Sequence, residues 1–280
     1  MEAKKAWYDR LVTVDRRIIY LVLAIAVILP VLIKIKATTA VSKEVRDVYG
    51  FVESLKPKDR LFVAIDFDPS TMAELQPMAE AIIGQAFDKG ATVYISCLSQ
   101  FGAPMADDII TRLAEEKGKK RDIDFVYFGY KPYPAITILA MGTDFRVPFP
   151  IDNYGTRLSE IPAMQDVHNF GQMTGVISLA AGNAADFWIQ YGQAKYGFKL
   201  ALGVTGVMAS DYYPYLQSGQ IFGLLPGVKG AAEYEQLLGK PAAGSASMPY
   251  QVAAHVVILI FMILSNIGYI AQRRARAAGR

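Results

Sequence analysis

Two apolar stretches bracket the 280-residue chain and restrict its fold more than any other feature. Residues 18–33 read IIYLVLAIAVILPVLI, and residues 250–271 read YQVAAHVVILIFMILSNIGYIA. A hydrocarbon core of about 30 Å needs about 20 apolar residues in a helix. The second stretch meets that length without a formal charge. The first meets Lys34 after 16 residues, but a lysine extends its stem and leaves its ammonium at the headgroups, so the span reads as 18–36. Pro30 falls inside it, as membrane helices tolerate. The competing readings are a buried core helix for either stretch and a signal peptide cleaved near Thr38-Thr39-Ala40 for the first. The long apolar run, with Lys34 and Lys36 beside that site, favours an uncleaved anchor.

The flanks set the expected topology. Residues 1–17 carry Lys4, Lys5, Arg10, Arg16 and Arg17, and residues 272–280 carry Arg273, Arg274, Arg276 and Arg280 without an acid. Short basic flanks stay cytoplasmic, whereas a long domain is exported largely regardless of its charge. The chain therefore reads as a two-pass protein of the cell (inner) membrane. Both termini are expected in the cytoplasm and residues 37–249 outside it, in the periplasm of a double-membrane bacterium.

That central segment has 18 basic and 23 acidic side chains, within a chain of net charge +3. An acidic domain lacks the basic footprint of nucleic-acid binding. The basic ends suit anionic headgroups, so the expected partners are the lipid bilayer and other membrane proteins or further copies of the chain. A lone cysteine, Cys97, permits no intramolecular disulfide and no thiolate zinc site. His168 is the one histidine of the segment, which excludes a His-rich metal site.

Between the anchors, strand and helix patterns alternate. Val41, Val45, Val48, Val52 and Leu55 recur at helical spacing. Apolar runs at 61–67, 91–98, 122–130, 175–181 and 200–208 read as strands. Helices are expected at 71–89, with a Thr71/Glu74 capping box, and at 107–117, 135–141, 183–196 and 230–238. Residues 142–170 and the Tyr- and Gly-rich stretch 212–227 read as loops, and 239–249 as a small-residue linker. Buried strands separated by helices indicate an α/β, Rossmann-like three-layer domain with a mainly parallel sheet, flanked by one N-terminal and one C-terminal transmembrane helix.

In such a fold ligands sit beyond the carboxyl ends of the strands, which selects Asp66, Asp68, Ser96, Asn183 and Asp211. Asp66-Phe67-Asp68-Pro69-Ser70 puts two carboxylates two residues apart after a buried strand, able to hold Mg²⁺ or Ca²⁺ through oxygen ligands. This spacing resembles the first motif of haloacid-dehalogenase-type phosphotransferases. The resemblance implies Asp66 as nucleophile, Asp68 as acid/base, Ser96 as the hydroxyl after strand two and Asp211 as a late metal ligand. Pro69 and Ser70 depart from that pattern, and no lysine motif completes it. The element also resembles the Asp-x-Ser-x-Ser metal site of von Willebrand A-type domains, with Asp68 at the first serine. The plain alternative is helix capping by Asp68 or Ser70.

A Gly-rich segment at 223–235 lacks the Gly-Lys-Ser/Thr ending of a P-loop. Tyr212, Tyr213, Tyr215 and Phe222 offer rigid amphipathic contact area and form the expected interface. Three functions follow: a non-enzymatic subunit or scaffold of a membrane protein assembly, a metal-dependent phosphatase or hydrolase using Asp66 and Asp68, and an extracytoplasmic solute-binding sensor.

Overall fold

The computed structural model describes residues 7–33 and 40–277; the expectations for Lys4, Lys5, Lys34, Lys36 and Arg280 lie outside them. The chain divides into two units, residues 39–246 and the terminal segments on either side. In the latter, α1 spans Trp7–Val12 and α2 spans Arg16–Ile33, with Pro30 inside the helix. Helix α11 spans Ala243–Ala277. Among the described residues it is the one helix long and apolar enough to cross a membrane.

Residues 39–246 form an α/β domain around one six-stranded, all-parallel sheet of order β3-β2-β1-β4-β5-β6. The strands are β1 (Arg60–Asp66), β2 (Thr92–Cys97), β3 (Phe125–Tyr130), β4 (Gly175–Ala180), β5 (Leu200–Val204) and β6 (Gly223–Pro226). Alternation along β1 divides the core. Leu61, Val63 and Ile65 pack with α3 (Lys43–Glu53), α4 (Met72–Asp88), α5 (Ala103–Lys117) and α10 (Gly227–Leu238). Phe62 and Ala64 point the other way, into a layer from α6 (Pro134–Met141), the loops to Met173, residues 184–198 and α9 (Ala209–Gln217). Burial on both faces explains why β1 to β5 each read as a continuous apolar run. The strand order reverses between β1 and β4, which places the fold's crevice at their carboxyl ends.

The differences from the sequence reading have local causes. The expected strand 200–208 stops at Val204 because Thr205–Met208 turns, with Met208 N–H donating to Thr205 O (3.1 Å). The Tyr- and Gly-rich stretch then forms α9 and the four-residue edge strand β6. Helix 183–196 is interrupted: α7 (Ala184–Phe187) and α8 (Ala194–Tyr196) flank a π-helical turn, Trp188–Gln193. The expected linker is partly helical, since α11 already starts at Ala243. Its free amides have a partner: the Glu235 carboxylate accepts from the N–H groups of Ala242, Gly244 and Ser245 at 2.7–2.8 Å. Two residues earlier on α10, Glu233 Oε2 accepts from Ser42 N–H (2.9 Å) and Ser42 Oγ (2.5 Å). One helix thus fastens both ends of the domain.

Candidate functional site

The Asp66 side chain projects from the last residue of β1, at the reversal of strand order, and is 2% exposed. Oδ1 accepts from Leu98 N–H (2.6 Å) and Oδ2 from Trp188 Nε1–H (2.7 Å). Burial pushes its carboxyl up from the usual 3.8 to about 6, against the lowering effect of those two donors. Trp188 packs on Phe62 and Phe170 with ring centroids 5.6 and 5.8 Å apart. It belongs to the π-helical turn, a feature frequent at functional sites. Ser96 and Ser178 lie on the neighbouring strands in register with Ala64. Their hydroxyls are fully buried and have no hydrogen-bond partner in the protein.

Asp68 is separate from this buried group. Its Oδ1 accepts from Ser70 N–H (2.9 Å) and Ser70 Oγ (2.6 Å), closing a turn two residues before α4. The Ser70 hydroxyl, followed by the neighbouring amides, holds the Asp68 carboxyl below its usual range. Thr71 stands at the N-cap of α4 without a side-chain capping bond. Glu74, expected to complete a capping box, instead accepts from Gly206 N–H (2.8 Å) and ties α4 to the turn after β5.

The remaining expected ligands disperse. Ser96 is inside β2, while Asn183 and Asp211 are exposed at the carboxyl edge. Among the described residues no three His, Cys, Asp or Glu side chains gather as a metal site. The expected interface is divided too. Tyr212 is 1% exposed in the core, and Tyr215 and Phe222 pack partly against the two cores. Tyr213 faces out and donates to Glu44 Oε1 (3.1 Å). The Cys97 thiol is buried and donates to backbone carbonyls of Ile65 and Ser99 (2.8 Å each).

A cavity of about 430 Å³ opens instead at the amino end of β3, lined by Thr111, Lys119, Arg121, Asp122, Phe125 and Tyr154. Arg121 lies 4.5 Å from the Tyr154 ring centroid, and Tyr154 OH donates to Asp107 Oδ1 (2.5 Å). Its charges face each other, with Arg121 Nε 3.5 Å from Asp122.

Sequence reasoning missed Trp188, whose bond to Asp66 spans 122 residues. It also missed the exposed Phe101, Tyr133 and Val207 on the strand-end loops; single apolar residues in three separate loops carry no periodic signal. No protein-family model matches the chain, and no curated protein matches it in sequence.

Proposed function

We propose that the protein is a non-enzymatic, two-pass subunit of a larger membrane assembly, with α2 and α11 as its anchors. In this reading the α/β domain is held outside the cytoplasm, in the periplasm where there are two membranes. The observation that carries it is the engagement of Asp66. A carboxylate at the switch point of an α/β sheet is where chemistry is expected, yet both its oxygens are bonded, to Leu98 N–H and to Trp188 Nε1–H. Asp68, the other half of the phosphotransferase-like element, is committed to Ser70. Both carboxylates hold the loop frame rather than a reacting group, which supports a presenting role over hydrolysis.

Two measurements on the full-length chain test this. Gentle detergent extraction should give a particle that also contains other membrane proteins; a particle holding this chain alone would refute the subunit reading. Mg²⁺ or Ca²⁺ should leave the thermal midpoint unchanged. A metal-dependent rise that disappears in Asp66→Asn would transfer the assignment to the metal-dependent hydrolase.

A further inference from the structure

Nine large apolar side chains are exposed within residues 40–246, and five of them stand on one edge of the sheet. Met72 follows β1, Phe101 follows β2, Tyr133 and Ile136 follow β3, and Val207 follows β5. In a parallel sheet all five therefore lie at the carboxyl edge, Phe101, Tyr133 and Val207 in loops and Met72 and Ile136 in the first turns of α4 and α6. Four strand spacings separate β3 from β5, so the row is about 19 Å long. Apolar side chains gathered along one edge of a sheet, with the other edge not so furnished, point to a contact surface.

The backbone under the rim is fixed in place. Tyr133 is 74% exposed and has φ +60°, ψ +68°. It lies between Pro132 and Pro134, and a residue before proline prefers extended backbone. Thr137 secures it, donating through Oγ1 to Pro132 O (2.8 Å) and through its N–H to Tyr133 O (3.0 Å). A bulky ring in a left-handed conformation without burial to offset it points to display. Phe101 precedes Gly102, where a Cβ would collide with Phe67 O. Val207, 87% exposed, sits in the turn that Glu74 ties down through Gly206 N–H. Apolar groups on such backbones lose little freedom on binding, and aromatic ones serve as anchors.

The charges around the rim select the partner. Over the carboxyl-end loops and the first turns of the helices that follow them, the formal charges are Asp68, Glu74, Asp186 and Asp211 against Lys131 and Lys229. A second copy would bring acid against acid, and an anionic bilayer would repel the fringe. We infer that the carboxyl edge is a docking surface for a protein partner whose contact face is an apolar centre fringed by Lys and Arg, with Tyr133 and Phe101 as the anchors. The inference rests on the subunit reading and adds to it the face used and the chemistry of the partner.

The test is photo-crosslinking of the full-length chain in its native membrane, with benzoylphenylalanine placed singly at Phe101, Val207, Tyr213 and Glu116. Adducts to one other protein should form from Phe101 and Val207 and not from Glu116. The crosslinked peptide, read by mass spectrometry, should hold apolar residues beside Lys or Arg. Raising salt from about 0.1 to about 0.5 M should lower the yield, since the Debye length falls below about 5 Å. Tyr133→Ala should cut it at least tenfold. Tyr133→Gly, which relieves the backbone conformation but removes the ring, should do the same. Adducts to a second copy or to lipid, full yield in both Tyr133 variants, or a salt-independent adduct lacking basic residues would each overturn the inference. Adducts from Tyr213 alone would overturn the rim and leave the subunit reading standing. No adduct from any position, together with a particle holding this chain alone, would overturn both.

Discussion

Asp66 makes the stability of the domain depend on pH in the direction opposite to a salt-bridged carboxylate. Its folded pKa is raised, from the usual 3.8 to about 6, so the folded state binds the proton more tightly than the unfolded chain. The contribution is complete below about 4 and is lost as pH rises through about 6. A shift of this size corresponds to about 3 kcal/mol for one fully buried group. The thermal midpoint of the full-length chain should therefore fall between about pH 4 and 6, and Asp66→Asn should remove that group's share of the slope. Trp188→Phe keeps a ring against Phe62 but leaves Asp66 Oδ2 without its donor. It should cost at least about 2 kcal/mol at pH 7 and less at pH 5, where protonation relieves the unpaired charge. An equal cost at both pH values would show that the loss is one of packing alone. Asp66 was legible in the sequence as the polar end of an apolar run, but its partner was not. Trp188 lies 122 residues away, and no local pattern pairs them.

Glycine gives opposite expectations on two helices of the domain. In α3, Gly50 is exposed and a Cβ there would meet nothing within 4 Å. Gly50→Ala should stabilise by about 0.5–1 kcal/mol, the ordinary helix-propensity gain. In α10, a Cβ on Gly230 would stand 2.7–2.8 Å from the Leu225 backbone and the Pro226 ring. That backbone belongs to β6 and cannot rotate away, so Gly230→Ala should destabilise by about 1–3 kcal/mol despite the same propensity gain. Thermal midpoints of the two variants check the pair; a matching sign would mean that α10 does not lie against β6 this closely. The long strands and helices were legible because burial on both faces and helical spacing leave unbroken patterns. Gly-Leu-Leu-Pro was not legible as β6, since four residues ending in proline carry too little pattern. The start of α11 was hidden because its cap is Glu235, across a turn, rather than a residue at Ala242. The carboxyl-edge ligands were named on a rule of the fold, and the fold came out as that rule required. Yet the edge presents Phe101, Tyr133 and Val207, which fall one to a loop.

At the scale of the whole molecule the proposed two-pass topology is testable by cysteine labelling, for which the chain provides a silent background. Cys97 is the single cysteine of the sequence and is fully buried on β2, its thiol bonded to two carbonyls. Burial also pushes that thiol far above its usual range, and the nearby Asp66 charge adds to the effect. It should stay unlabelled by a maleimide, because the thiolate is the nucleophile. Cysteines introduced one at a time then report location without background. Glu116 is exposed on α5, Val12 lies in the N-terminal flank, and Ala277 ends α11. With both basic flanks retained in the cytoplasm, a membrane-impermeant maleimide added to intact spheroplasts should label Glu116→Cys but not Val12→Cys or Ala277→Cys. Lysis should expose the latter two. Labelling of Ala277→Cys and Glu116→Cys on the same side would remove α11 as a membrane crossing. Labelling of Val12→Cys together with Glu116→Cys would leave α11 as the single anchor and remove α2. The alternation of label from flank to domain to flank is the outcome that two crossings require.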